Sequence, residues 1–239
     1  MSHIKKEDHK MKKYLSLAFA VCGITLFLAM PGVSNATSLT PGSTITPGPG
    51  TNFPAADFGA SILADTGTVT VVGSGAQPFT ASVREIVVRD TVTGNIDFLY
   101  QFVNVGPNPS TYINAMSVDS YGTFTTDVGE STGYANLVSG SFTPLPVDGS
   151  INRGPTGQVI TFNWASQINP AISPNLADGT EVIVVRTNAP TWQSGTMNFI
   201  DGSIGSTPGF APAVPEPATL LLLGFGLVGL VGAGRKFKK

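Results

Sequence analysis

Apolar and polar residues alternate along much of the middle of the chain. In the clearest run, Ile96, Phe98, Tyr100 and Phe102 fall on one face, and Asp97, Leu99 and Gln101 fall on the other. A second run has the same period, with Ile160, Phe162 and Trp164 alternating with Val159, Thr161 and Asn163. A period of two residues places successive side chains on opposite faces of a β-strand. Both runs therefore predict strands.

Shorter runs rich in β-branched residues predict further strands at 68–72, 83–89, 113–118, 182–187 and 196–200. Thr93-Gly94-Asn95 lies between two of the runs and is typical of a hairpin turn. No sustained helical period is present between residues 37 and 214. The pattern predicts an all-β fold: a single β-sandwich domain at 57–210 with about eight to ten strands. Residues 37–56 are rich in Pro and Gly and predict a linker or an irregular N-terminal arm.

The N-terminal residues 1–36 have the features of a secretory signal peptide. Lys12 and Lys13 precede an uncharged run at 14–30, which includes the single cysteine, Cys22. Ser34 and Ala36 then supply small residues at the −3 and −1 positions of a cleavage site, so Thr37 would begin the mature chain. Met11 is a second candidate start, which would make residues 1–10 an upstream extension. The alternative is an uncleaved N-terminal anchor.

The C-terminal residues 211–239 contain three consecutive features. Pro215-Glu216-Pro217 comes first, an uncharged segment at 218–234 follows, and a basic end closes the chain with Arg235, Lys236, Lys238 and Lys239. Seventeen helical residues would rise about 25 Å, enough for a thin bilayer. The basic residues would hold this end in the cytoplasm. We therefore expect a transmembrane helix at 218–234 and a middle domain outside the inner membrane.

This tail resembles a PEP-CTERM sorting signal in the order, the spacing and the C-terminal position of its parts, although its basic end is mostly lysine where the family usually has arginine. The resemblance implies that an exosortase, a membrane protease or transpeptidase, removes the tail after transient insertion into the inner membrane. It also implies a Gram-negative host that makes exopolysaccharide, and delivery to the cell surface or extracellular matrix. The alternative is an ordinary single-span anchor with Pro-Glu-Pro as a spacer.

The composition of residues 37–214 excludes several functions. This stretch has four arginines against twelve Asp and Glu, a net charge of −8, and no Lys, His or Cys. An acidic surface repels phosphate backbones, which argues against nucleic-acid binding. Without His, Cys or Lys there is no Ser-His-Asp triad, no thiol nucleophile, no Schiff base and no usual zinc site. We expect no catalytic residues, no cofactor and no metal.

Carboxylate chemistry is the one catalytic class that this composition permits, because a glycosidase needs two acids. The glutamates of the mature chain are Glu85, Glu130 and Glu181, and no spacing identifies a pair. We expect Glu85 and Glu181 to point outward from strands. Asp119 to Glu130 resembles a calcium loop but has Phe124 where that loop requires glycine, which favours a β-turn with solvated acids.

We expect the two tryptophans of the mature chain to lie in different environments. Trp164 is in phase with Ile160 and Phe162 and should lie in the core, whereas Trp192 follows a proline and is the better candidate for a surface contact. The sequence thus predicts an exported, exosortase-sorted structural or interaction protein, not an enzyme, whose partners are signal peptidase, exosortase and extracellular polysaccharide. A carbohydrate-binding or adhesive module is the first alternative, and a carboxylate-dependent glycan hydrolase the second.

Overall fold

Strands make up nearly all the regular structure. The structure, a computed structural model, describes residues 36–47, 52–106, 111–131, 134–169 and 177–213. Its strands are β1 (Thr37–Ser38), β2 (Thr44–Ile45), β3 (Phe58–Asp65), β4 (Val69–Val72), β5 (Ser74–Gly75), β6 (Thr80–Asp90), β7 (Ile96–Asn104), β8 (Ile113–Val118), β9 (Thr126–Ser131), β10 (Phe142–Leu145), β11 (Ile151–Arg153), β12 (Ile160–Ile168), β13 (Ala177–Thr180), β14 (Val182–Thr187), β15 (Thr191–Ile200) and β16 (Ser203–Ala213). One 3₁₀ helix spans Ala55–Asp57.

The strands form two sheets. In sheet A, β1, β9, β14 and β7 are neighbours in that order, and β13 and then β10 continue from β7. β6 pairs with the other edge of β7. Both β3 and β4 pair with β6. Sheet B has the order β2-β11-β12-β8-β15-β16-β5. The strand pairs are antiparallel except for β10 and β13, which are parallel. The β6–β7 hairpin turns at the predicted Thr93-Gly94-Asn95, where Gly94 has a φ of 76°.

The main core lies between the two sheets. Sheet A contributes residues such as Val87, Phe98 and Phe102, and sheet B contributes Phe162, Trp164 and Phe199. Trp164 is 3% exposed and meets the Phe102 ring edge-on at 5.3 Å, which confirms its predicted core position. The alternation of large apolar residues along β7 and β12 thus reflects one face turned toward this shared interior.

The other face of sheet A is also covered. A second apolar cluster forms there from Phe53, Phe58, Ile86, Val88, Leu99, Leu137, Val182 and Val184. Every residue of β7 is consequently buried, including Asp97 and Gln101. Gln101 is satisfied by the backbone, because its Oε1 accepts from the N–H groups of Leu137 and Val138. Sheet A is therefore a central layer with apolar contacts on both sides.

The all-β prediction is confirmed, and the strands predicted at 113–118 and 182–187 have the observed bounds. Strands are also present outside the predicted domain limits of 57 and 210. β1 and β2 lie in the segment predicted as a linker or arm, and β16 continues to Ala213. Two described apolar residues of 37–56, Leu39 and Phe53, are 0% and 1% exposed. Their burial gives this Pro/Gly-rich segment an apolar anchor at each end.

The two predicted helices fall outside the described part of the chain. The signal helix belongs to residues 1–36, of which residue 36 alone is described, and the transmembrane helix belongs to 218–234. In the ranges that are described, no helix is long and apolar enough to cross a membrane.

Candidate functional site

Most residues of the predicted sorting and cleavage sites lie outside the described ranges: Ser34, Pro215, Glu216, Pro217, Arg235, Lys236, Lys238 and Lys239. The described exceptions are Ala36 and Thr37. Thr37 begins β1 and pairs with Val128, and Ala36 is half-buried against the second apolar cluster. Cleavage after Ala36 would therefore leave β1 complete at the very start of the mature chain.

The long hairpin of β15 and β16 carries the chain to the C-terminal motif. Its register is continuous from the pair Ile200–Ile204 to the pair Thr191–Ala213. Ala213 is 7% exposed, so the strand remains packed to its last residue. Pro215 follows two positions later in the sequence. The sandwich therefore holds the chain directly before the predicted sorting motif.

A buried carboxyl group contacts the free edge of β16. The Phe210 N–H donates a 2.8 Å hydrogen bond to Glu85 Oε2, across the space between the sheets. Because this N–H points away from β15, the alternate positions of β16 present their nitrogens to the same outer edge. Two of those positions are Pro208 and Pro212, which have no N–H. Over 208–212 the outer edge thus offers no free donor, which protects it from pairing with another strand.

Close packing at Gly209 brings β16 this near to Glu85. A Cβ at this position would overlap Glu85 Oε2 and lie 3.2 Å from the Met197 side chain. To make room for a side chain here, the Glu85 carboxyl group or β16 would have to shift. The Glu85–Phe210 contact, which we call the β16 clasp, depends on this glycine.

Burial dominates the electrostatics of Glu85. The side chain is 0% exposed, and burial raises its pKa to about 8, although the Phe210 N–H and the Tyr100 hydroxyl act in the opposite direction. The Tyr100 and Tyr121 hydroxyls lie 2.6 Å apart beside it. Glu85 is consequently mostly protonated at pH 7, and its burial corrects the expectation that this residue points outward. Neutral carboxyl groups can be buried at far lower cost than ionised ones.

The other two glutamates occupy a different part of the sandwich. Glu130 on β9 is 5% exposed, accepts a 2.6 Å hydrogen bond from the Val147 N–H, and has its pKa raised to about 7, chiefly by burial. This corrects the expectation of a solvated acid. Glu181 is half-buried between β13 and β14, so it is not the outward strand residue expected. Glu181 also raises the pKa of Glu130, whereas Glu85 does not contribute to that shift.

Arg186 and three aspartates form a charged cluster that the sequence pattern does not predict. Arg186 on β14 makes ion pairs of 2.6 Å with Asp90, 3.0 Å with Asp57 and 3.4 Å with Asp97, and its guanidinium lies 4.7 Å from the centre of the Phe53 ring. Asp90 and Asp97 have fully buried side chains. Burial raises the pKa of Asp97 to about 8 despite the nearby arginine. Because the four charges come from four separate segments, no local motif could have identified them.

Within the described residues, no group of three or more His, Cys, Asp or Glu side chains could hold a metal ion. Trp192, the better candidate of the two tryptophans for a surface contact, is half-buried, packs against the main core and pairs with Pro212 of β16. Within the described residues, β16 stays paired with β15 up to Ala213, two residues before the Pro-Glu-Pro segment.

The family comparison covers that motif. Residues 213–236 match the family model for the PEP-CTERM protein-sorting motif. This chain carries a PEP-CTERM motif. The match includes Pro215, Glu216 and Pro217 and begins at Ala213, the last residue of β16. The matched region therefore begins at the end of β16, the last strand among the described residues.

The PEP-CTERM motif supports an exported protein that is processed by a membrane-associated exosortase and sorted to the cell surface. The β-rich structure fits the ectodomain of such a protein. Searches of curated proteins and of solved structures give no match.

Proposed function

We propose that this protein is a structural or interaction component of the extracellular matrix or cell envelope of a Gram-negative bacterium, linked to exopolysaccharide or biofilm. The observation that carries the proposal is the PEP-CTERM motif at 213–236, attached directly to a β-sandwich. The mature domain has a net charge of −8, which favours solubility outside the cell and disfavours nucleic acid as a partner.

We also propose that the domain has no enzymatic activity. Paired carboxylates of a glycosidase flank a cleft that admits a sugar ring. Glu85 lies instead between the sheets against Phe210, and Glu130 is buried against Val147. A surface groove between β3 and the end of β6 contains Asp90, whose carboxylate is committed to Arg186. These placements argue against the glycan hydrolase alternative.

The sorting step is tested by replacing Pro215, Glu216 and Pro217 together with Ala in a host that has an exosortase. We expect the variant to accumulate in the inner membrane with its tail attached and to be missing from the matrix. Pro47-Gly48-Pro49 is another Pro-x-Pro segment of the chain, and its replacement with Ala is the matched control. Equal mass and equal surface display for the sorting variant and wild type would leave an ordinary membrane anchor.

The role of the exported domain is tested separately. Deletion of the gene should weaken the matrix without removing any polysaccharide-cleaving activity from the culture medium. A glycan array with the purified mature domain distinguishes the first alternative, since selective binding would indicate a carbohydrate-binding or adhesive module. Release of reducing ends from polysaccharide, abolished by Glu130→Gln, would instead support the hydrolase.

A further inference from the structure

The PEP-CTERM match begins inside the folded sheet. Ala213 is the first matched residue, is 7% exposed and is paired with Thr191 of β15. An enzyme that holds Pro215 and Glu216 therefore works within two or three residues of the sandwich. The described residues nearest to the motif in sequence belong to β16, which is therefore the first part of the domain that this enzyme could contact.

Enzymes and receptors that take extended peptides hold them through backbone hydrogen bonds, as in strand addition. Such binding needs one free edge of the peptide. The outer edge of β16 cannot donate over 208–212, because Pro208 and Pro212 have no N–H and the Phe210 N–H is held by Glu85. The other edge, which carries the donors of Ala211 and Ala213, faces β15. An enzyme can accept hydrogen bonds from these two N–H groups only after this part of β16 has separated from β15.

The end of β16 is buried, since Ala211 and Ala213 are 0% and 7% exposed, but it has small side chains and lacks one backbone donor. Ala211, Pro212 and Ala213 bring small side chains to the interface, and Pro212 contributes no donor to either side. The next residue toward the N-terminus is Phe210, which is fixed by the β16 clasp and packs against the main core. Separation from β15 can thus proceed through three residues and stop at the clasp.

We propose that the exosortase binds Ala211-Pro212-Ala213 together with the PEP-CTERM motif, taking the place of β15 along these three residues, while Phe210 and the rest of β16 stay in the sheet. The inference rests on the proposed sorting by an exosortase and adds the segment of the folded domain that this partner holds. The end of the last strand is then part of the recognition surface.

A disulfide that fastens the end of β16 to β15 tests the inference. Directly opposed residues of an antiparallel pair lie within the Cα separation that a disulfide spans. The test variant is Thr191→Cys with Ala213→Cys, and the control is Asn198→Cys with Ser206→Cys, an opposed pair near the other end of the same hairpin. Cys22 lies in the predicted signal peptide, so no other thiol remains in the mature chain.

Pulse–chase labelling under oxidising conditions should show tail removal slowed about tenfold or more in the test variant, because the disulfide keeps the opposed residues within about 6.8 Å. The control should be processed like wild type, and a membrane-permeant reductant should restore processing of the test variant. Normal processing of the oxidised test variant would overturn the inference. The triple Ala variant of the motif would still report on exosortase sorting by itself.

An insertion gives an answer that needs no disulfide. Four residues, Gly-Ser-Gly-Ser, placed between Ala213 and Val214 leave β16 and the motif intact but separate them. If the enzyme holds both, the insertion lowers the rate of tail removal. If the enzyme reads the tail alone, processing is unchanged or faster, and the inference fails.

Discussion

The Arg153 guanidinium donates a 2.9 Å hydrogen bond to the carbonyl of Leu39 and so fastens the N-terminal arm to β11. Arg153 is 3% exposed, and its other acceptors are the Thr126 hydroxyl and the carbonyls of Tyr121, Phe124 and Gly157. All five acceptors are uncharged. One buried cation thus joins the arm to the connection between β8 and β9.

Replacement of Arg153 with Ala should lower the free energy of unfolding by about 3 kcal/mol, because several buried carbonyls lose their donor together. Urea denaturation of the mature domain measures this change. Arg89→Ala is the control, since Arg89 is exposed, and it should cost less than about 1 kcal/mol. Equal losses for the two variants would contradict the role assigned to Arg153.

Arg186→Ala should destabilise the domain by about 3–5 kcal/mol, because it leaves the buried Asp90 carboxyl group without its ion-pair partner and removes the polar contact to Asp97. Arg84→Ala removes a matched but more exposed pair with Asp65, at 2.7 Å, and should cost about 1 kcal/mol or less. Thermal unfolding of both variants provides the comparison. A larger loss of stability for Arg84→Ala than for Arg186→Ala would contradict the prediction.

The stability of the domain should fall as the pH rises from about 5 to about 8. Burial raises the pKa of Glu85 and Asp97 to about 8 and that of Glu130 to about 7. Across this interval the folded state keeps protons that the unfolded chain has released. Each group contributes a slope of up to about 1.4 kcal/mol per pH unit.

Glu85→Gln should flatten this fall, because the amide oxygen can still accept from Phe210 but the side chain cannot ionise. Asp65→Asn is the control. Arg84 lowers the pKa of Asp65, which therefore titrates below the interval. Urea midpoints at several pH values measure the slopes, and parallel curves for wild type and Glu85→Gln would show that Glu85 is not one of the titrating groups.

Gly209→Ala should weaken the β16 clasp, because the added Cβ would overlap Glu85 Oε2 and crowd Met197. We expect a loss of about 1–3 kcal/mol in unfolding free energy and faster hydrogen exchange at the Phe210 amide. Ser206→Ala on the exposed face of β16 is the control and should change neither quantity. A fully protected Phe210 amide in Gly209→Ala would contradict the proposed close fit.

Terminal sequencing of the exported protein should find Thr37 as its first residue. Ser34 and Ala36 define the cleavage site, and β1 begins at Thr37. Replacement of Ala36 with a bulky residue such as Phe should block cleavage at this position, while the same change at Asn35 should be tolerated. A surface form that begins at Met1 or Met11 would show that the segment is an uncleaved anchor.

The sequence alone determined which stretches become strands where one face is apolar. The alternation in β7 and the β-branched runs at 113–118 and 182–187 identified those strands, since side-chain period follows directly from strand geometry. The C-terminal motif was equally readable, because its parts are contiguous in the chain and their recognition needs no tertiary contact. β16, rich in Gly and Pro, was missed because its buried alternate positions carry only small residues, from Ser203 to Ala213.

The tertiary structure decided the protonation and the partners of the buried charges. Glu85 was expected to point to solvent, since a charged residue in a strand ordinarily does, but β16 crosses over it and supplies the Phe210 N–H. Arg186 and Asp57 are far apart in sequence, and their pairing requires the 3₁₀ helix to pack on the outer face of sheet A. Burial and pairing of this kind depend on which segments meet in space. The local sequence pattern predicts where a strand forms. Which of its side chains become buried depends on segments from elsewhere in the chain that pack against it.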